Sequence, residues 1–241
     1  MEWRDQGILL NARAHGETSA IIDVFTKDHG RHAGVVRGGR ARKMTPVLQP
    51  GAQLDLTWRA RLEDHLGTFQ VELLHSRTAL VIGDRKSLSG LNVVTAMLLT
   101  FLPERESYTT LYTATEHLLD LIEDQTVWPT VYLKWELALL DILGFGLDLS
   151  VCAVTGKAED LAYISPKTGR AVSSAGAGEW ADRLFPFVPV LSGAKQCDLA
   201  EMRTAFNITG YFLENHVLKG LGLRAFPAAR ARFVDTLSQS T

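Results

Sequence analysis

The stretch Leu54-Asp55-Leu56-Thr57-Trp58-Arg59-Ala60-Arg61 alternates apolar and polar side chains without a break. Successive side chains of an extended strand point to opposite faces. Leu54, Leu56, Trp58 and Ala60 therefore share one face, and Asp55, Thr57, Arg59 and Arg61 the other. The same period of two recurs on both sides. Ile8, Leu10 and Ala12 read as one face, Ala20, Ile22 and Val24 as a second, and Phe69, Val71 and Leu73 as a third. Val35 lies in a further run between His29-Gly30 and Gly38-Gly39. Five short strands punctuated by glycine turns predict a small closed or nearly closed barrel, since closure removes exposed strand edges. Ile21 and Phe25 fall on the opposite face from Ile22 and Val24, which predicts a second layer packed outside the barrel.

From about residue 80 the period becomes helical. Ser87 or Ser89 would cap a helix running to Phe101 and stopped by Pro103, and Ser107 would cap the next. Pro129 suits a first helical position, and that helix runs to Leu143 before Gly144 and Gly146. Residues 148–175 lose the period and read as turns plus a hairpin around Ser165-Pro166-Lys167-Thr168-Gly169. A long amphipathic helix returns from Cys197 to about Lys219. The predicted fold class is α+β and multidomain: a barrel over 1–80, then a helical domain over 81–241 with a small irregular insertion at 149–195.

With 46% apolar residues among 241, the chain can fill a packed core, which excludes disordered and low-complexity classes. Two cysteines exclude a disulfide framework and fit a reducing compartment. The start, Met1-Glu2-Trp3-Arg4-Asp5, lacks the features of a signal peptide. The most apolar stretch, Leu91 to Leu102, is interrupted by Asn92, Thr95 and Thr100 and is too short for a bilayer, which needs about 20 residues. A cytoplasmic protein with no membrane partner is expected.

The net charge of −2 hides a local cluster. Within Val35-Val36-Arg37-Gly38-Gly39-Arg40-Ala41-Arg42-Lys43-Met44-Thr45-Pro46 and the residues just before it, Arg31, Arg37, Arg40, Arg42 and Lys43 occur with no acid between them. A glycine-hinged cationic loop between strands can follow a sugar–phosphate backbone and release its counterions. Its alternative reading is a solvated surface loop. Arg59 and Arg61, beside Glu63-Asp64-His65, extend the basic track, although the two acids oppose it. Trp58 belongs to the apolar face, where core packing is favoured over stacking on a base. Phe25 is open to an interdomain contact or to stacking on a base. No nucleotide-binding phosphate loop, Gly-x-Ser-x-Gly elbow or His-Glu-x-x-His motif occurs, and the seven histidines are scattered. No enzyme is expected.

Residues 5–78 resemble the N-terminal OB-fold of the RecO family of bacterial recombination mediators. The resemblance rests on Gly7-Ile8-Leu9-Leu10, Glu17-Thr18-Ser19, Phe25-Thr26, His29-Gly30, Val36-Arg37-Gly38 with Arg40 and Lys43, and Leu48-Gln49-Pro50. Downstream, Trp135-Glu136-Leu137 through Leu140, Leu143-Gly144-Phe145 and Leu147-Asp148-Leu149 with Cys152 resemble the family's helical domain and the entry to its zinc module. The resemblance implies an OB-fold, a helical domain and a zinc-finger-like insertion. It also implies binding of single- and double-stranded DNA, strand annealing, and RecR and the single-strand binding protein as partners.

The insertion departs from the family at the metal. Zinc-binding members supply two close cysteine pairs, whereas here Thr155 stands three positions after Cys152 and Cys197 stands alone. Structural zinc needs four Cys/His ligands at paired spacings, so neither metal nor other cofactor is expected. In the helix opened by Pro129, Lys134 with Val131 and Trp135 could take the acidic C-terminal tail of the single-strand binding protein. The alternative is a solvated lysine above a buried stripe.

The function expected is a non-enzymatic DNA-binding and strand-annealing mediator of recombinational DNA repair after damage. It would load recombinase onto strands covered by single-strand binding protein and associate with the nucleoid. Arg31, Arg37, Arg40, Arg42, Lys43, Arg59 and Arg61 would contact phosphates. A protein-interaction adaptor and an RNA-binding OB module are the alternatives.

Overall fold

The computed structural model describes residues 1–194 and 197–238. Lys195, the expected end of the insertion, and residues 239–241, at the end of the expected helical domain, lie outside the described residues. The chain compacts into two units: Met1–Trp128 together with a C-terminal helix after Pro227, and Pro129–Phe226. Division at residue 80 follows strand and helix content; compaction instead joins the first three helices to the barrel.

In the first unit, β1 (Glu2–His15), β2 (Ser19–Thr26), β3 (Gly30–Val36), β4 (Gln53–Arg59) and β5 (Thr68–His75) close into a barrel in the order β1-β2-β3-β5-β4. Only the β3–β5 contact among these pairs is parallel. This is an OB-like arrangement. Leu9, Ile22, Val24, Leu54, Leu56, Trp58 and Phe69 fill the barrel, so Trp58 is a core residue.

The structure corrects the face of β1. Leu9, rather than Ile8 or Leu10, joins the barrel core. The register pairs Leu9 with Val24 and Asn11 with Asp23, leaving Leu10 as a bulge. A bulge inserts one residue and exchanges the faces beyond it, so Ala12 again packs on the barrel core. Ile8 and Leu10 are nevertheless buried, because a helix covers this strand.

That helix is α2 (Arg85–Phe101), preceded by α1 (Arg77–Val81) and followed by α3 (Thr109–Asp120). Asp84 caps α2 by accepting from the Ser87 backbone N–H, so neither Ser87 nor Ser89 is the cap. Tyr108 occupies the cap position of α3, while Ser107 Oγ donates to the Lys27 carbonyl. Phe25 is fully buried outside the barrel with its ring edge-on to Tyr112 of α3, centroids 5.4 Å apart. It is therefore packed within this unit and closed to base stacking. Gly30 has φ +65°, and a Cβ there would lie 1.9 Å from the Glu106 carbonyl oxygen. The β2–β3 turn thus seats directly on the α2–α3 loop.

In the second unit, α4 (Trp128–Ile142) enters from Pro129. The strands β6 (Leu161–Ile164), β7 (Ala171–Ser173) and β8 (Phe185–Pro186) form a small sheet of order β7-β6-β8, with the single-turn α5 (Ser174–Ala177) between β7 and β8. Cys152, Val172 and Ala177 make its miniature core. Next, α6 (Leu199–Phe212) starts at a reciprocal capping box between Asp198 and Glu201 and continues as a π-helical turn, Leu213–Leu218. The last helix, α7 (Ala228–Ser238), belongs to the first unit and packs on α2. Among the described residues, no helix is long and apolar enough to cross a membrane.

Candidate nucleic-acid interface

The β3–β4 connection presents the basic residues from a fixed base. Gly38 takes φ +68°, a left-handed value that glycine adopts without strain. The Arg40 backbone N–H donates to the Thr18 carbonyl at 3.0 Å. Its guanidinium donates to the Gly16 and Glu17 carbonyl oxygens at 2.9 and 3.0 Å. Arg40 therefore straps the loop to the β1–β2 turn. Beyond a 3-10 turn at Arg42–Met44, Leu48 is buried and Met44 packs on the barrel core.

Between this loop and the β4–β5 surface lies an open cavity of about 670 Å³. Its cationic lining comes from Arg37, Lys43 and Arg59; Thr57, Thr68 and Gln70 add uncharged polar groups, and Met44 and Val71 an apolar surface. Thr57 pairs across the ladder with Gln70, and Arg59 with Thr68, so these four share the outer face of adjacent strands. Among the described residues, Arg37, Arg42, Lys43 and Arg61 have no carboxylate partner, and all four are exposed. Arg59 does have one: Nη2 donates to Glu2 Oε1 at 2.9 Å. That hydrogen bond holds the Glu2 carboxyl below its usual value and raises Arg59.

Arg31 does not line this cavity. Its side chain is 16% exposed, its Nε donates to the Leu102 carbonyl at 2.8 Å, and Nη1 faces Asp23 and Glu104 at 3.5 and 3.4 Å. Burial raises the Asp23 carboxyl, opposed by the Arg31 charge. The seven cations read from the sequence thus divide. Arg37, Lys43 and Arg59 line one groove, Arg40 fastens its wall, Arg42 and Arg61 are exposed near the chain segments that frame it, and Arg31 is bonded elsewhere.

A second cavity, of about 400 Å³, was not anticipated from the sequence. Trp3 stacks on His29 with centroids 4.0 Å apart and planes 8° from parallel, and on Trp58 at 5.6 Å. His29 Nδ1 lies 3.0 Å from Asp5 Oδ2. His32 is buried against Trp58, donates from Nδ1 to the Ala33 carbonyl, and is pulled down to about 4 by that burial. Extending the β1 alternation back to Trp3 would have found this cluster, because Trp3 faces Trp58 in the β1–β4 register. Glu2, Asp28 and Glu63 also line the cavity, opposite in charge to Arg105 and to the N-terminal residue Met1 on the same lining.

In the second unit, Lys134 is exposed, Val131 is half-buried, and Trp135 is buried at 3% exposure, stacked on Tyr132 with centroids 5.7 Å apart. Trp135 is therefore a packing residue, and Lys134 and Val131 alone offer surface there.

The zinc site implied by the resemblance does not fit the residues present. Cys152 Sγ accepts from the Ser173 backbone and hydroxyl at 3.2 and 3.3 Å, and from the Val154 and Thr155 backbone N–H groups at 3.4 Å. One sulfur surrounded by hydrogen-bond donors supplies a single ligand where tetrahedral zinc needs four. The donors, Ser173 first, hold the Cys152 thiol down at about 6. Among the described residues, no three His, Cys, Asp or Glu side chains converge on one point.

Comparison with known proteins agrees with this architecture. A family model described as Recombination protein O N terminal matches residues 1–77, and one described as Recombination protein O C terminal matches residues 82–225. The chain is 59% identical over 239 residues to the DNA repair protein RecO of Roseobacter denitrificans, covering 99% of each. It is 58% identical over 239 residues to that of a Ruegeria species, again covering 99% of each. Against the RecO protein of a Jannaschia species, identity is 53% over 99% of this chain and 97% of the relative. With an OB-like barrel, a helical region after it and both family models matched in order, the chain belongs to the RecO family.

Proposed function

We propose that this protein acts in DNA repair by binding DNA strands in the groove between the β3–β4 loop and the β4–β5 surface, and by promoting their annealing. The observation that carries the reading is the pairing of Arg37 and Lys43, both free of carboxylate partners among the described residues, on one open cavity. Cations at the rim contact phosphates and carry no sequence information. Met44 from the loop and Val71 from β5, both half-buried, leave the groove an apolar surface against which bases can lie. Two strands brought to one cationic surface repel each other less, which speeds their pairing. Mediation with RecR, and recombinase loading on strands covered by single-strand binding protein, extend this reading. Lys134 and Val131 are the residues offered to that protein's acidic tail.

The test is an annealing assay on complementary strands coated with single-strand binding protein, with the parent and with Arg37→Ala/Lys43→Ala. Loss of annealing and of oligonucleotide affinity in the variant supports the groove. Parent-like behaviour in both assays removes it. A matched RNA strand that competes better than DNA would move the assignment to RNA.

One observation favours a second reading, an adaptor that binds protein. Leu74, Leu80 and Ile82, at the end of β5 and around α1, are 50%, 52% and 71% exposed, and exposed apolar side chains in one neighbourhood mark protein contacts. Anisotropy with labelled oligonucleotides separates the two, because an adaptor leaves them unbound.

A further inference from the structure

Arg59 lines the basic groove, whereas its partner Glu2 lines the cavity that holds Trp3. The two residues stand directly opposite each other in the β1–β4 register. Both side chains are more than half exposed, 56% for Arg59 and 53% for Glu2. The backbone around Glu2 is pinned on both sides: the Ala60 N–H donates to the Met1 carbonyl at 3.1 Å, and Trp3 stacks on Trp58. Glu2 is thereby presented to Arg59 by the ladder itself.

A carboxylate and a phosphodiester offer a guanidinium the same thing, a pair of anionic oxygens. Glu2, accepting from Arg59 Nη2, therefore occupies one of the donors that a nucleic-acid phosphate in the groove would use. We propose that Glu2 is a built-in competitor for the DNA backbone at Arg59, so that a strand reaches this arginine only by displacing the carboxylate. Arg37 and Lys43, which have no such partner among the described residues, engage the strand first. Arg59 follows by exchange of one anion for another, which an exposed ion pair permits because such pairs are weak and screened by salt. Glu2 then lowers affinity by holding the Arg59 guanidinium toward the β1 side of β4. This inference rests on the groove being the DNA site.

The experiment titrates a labelled single-stranded oligonucleotide with the full chain, any affinity tag being at the C-terminus, and follows anisotropy at low salt. The proteins are the parent, Glu2→Gln, Arg59→Ala, the Glu2→Gln/Arg59→Ala double variant, and Arg37→Ala/Lys43→Ala. Competition predicts that Glu2→Gln binds about two- to fivefold more tightly than the parent, the range an exposed ion pair supports. It also predicts that the gain vanishes in the double variant, and that Arg59→Ala weakens binding more in the Glu2→Gln background than in the parent. Glu2→Gln binding no more tightly, while Arg37→Ala/Lys43→Ala weakens binding, overturns the competition and leaves the groove standing. A gain that persists without Arg59 overturns it too, as a general charge effect. Undiminished binding by Arg37→Ala/Lys43→Ala overturns the groove and the competition together.

Discussion

The Arg31 guanidinium donates Nε–H to the Leu102 carbonyl at 2.8 Å, bolting β3 to the segment that leaves α2. Its Nη1 faces both Asp23 and Glu104, so this cation serves the fold of the first unit. Arg31→Ala would leave the Asp23 carboxylate without its ion-pair partner and the carbonyl without its donor. We expect a loss of about 2 kcal/mol in chemical denaturation, with oligonucleotide affinity unchanged. A large affinity loss without destabilisation would return Arg31 to the DNA track.

Arg37 and Lys43 differ from Arg31 in having no carboxylate ion-pair partner among the described residues, so their effect belongs to binding. On a single strand each phosphate contact contributes about −0.7 to the slope of log K against log salt. Arg37→Ala/Lys43→Ala should therefore flatten the slope by about 1.4, with a melting transition like the parent's. An unchanged slope excludes both residues from the phosphate backbone.

His32 makes stability depend on pH. Burial pulls its imidazole down to about 4, against about 6.5 in an unfolded chain. Between these values the unfolded chain binds the extra proton. The contribution is thus fully present above about 6.5 and is lost as pH falls toward about 4, amounting to about 3 kcal/mol. Denaturant unfolding at pH 7 and pH 4 measures this loss, and His32→Gln should reduce it. Equal losses in both proteins would assign the acid sensitivity to other groups.

Cys152 should titrate early. Its thiol is held at about 6 by donors led by Ser173, whereas burial raises Cys197. In a Cys197→Ser background, thiolate absorbance should rise with a midpoint near 6, and Ser173→Ala should move that midpoint upward. Because the folded value is depressed, the stabilisation is present above the unfolded thiol's range and fades as pH drops through about 6. A midpoint in the ordinary thiol range would mean that the donors do not reach the sulfur in solution.

Arg77 lies 4% exposed at the start of α1. It donates to Asp120 at 2.9 and 2.7 Å and to Gln53 Oε1 at 3.0 Å, while Gln53 donates to the Tyr112 hydroxyl at 2.7 Å. Asp120 is 58% exposed and can be resolvated, so the larger penalty falls on Gln53. Arg77→Ala should cost about 2 kcal/mol and Asp120→Asn about half that. Equal losses in the two variants would show that the ion pair outweighs the buried hydrogen bonds.

The barrel was legible because period-two alternation follows from strand geometry alone, and Leu54, Leu56 and Trp58 obey it. The face of β1 was not, since a bulge at Leu10 leaves no mark in an unbroken apolar run. The helix after Pro129 and the irregular stretch around Cys152 were equally readable. The Asp84 cap was missed because nearby serines offer the same local chemistry. In the groove, the charge run predicted cations near a polyanion site but could not divide them. Arg31, Arg40 and Arg37 are the same residue type within ten positions. One meets the Leu102 carbonyl, one the Gly16 and Glu17 carbonyls, and one open groove.

By itself, then, the sequence determined the strand and helix periods, the family likeness and the density of positive charge, all of which are written in neighbouring residues. Tertiary structure alone decided which cations are free, that Glu2 stands opposite Arg59, and that Trp3, His29 and His32 gather around Trp58. Those outcomes depend on register and closure, which bring together residues 57 and 71 positions apart, beyond the reach of any local pattern.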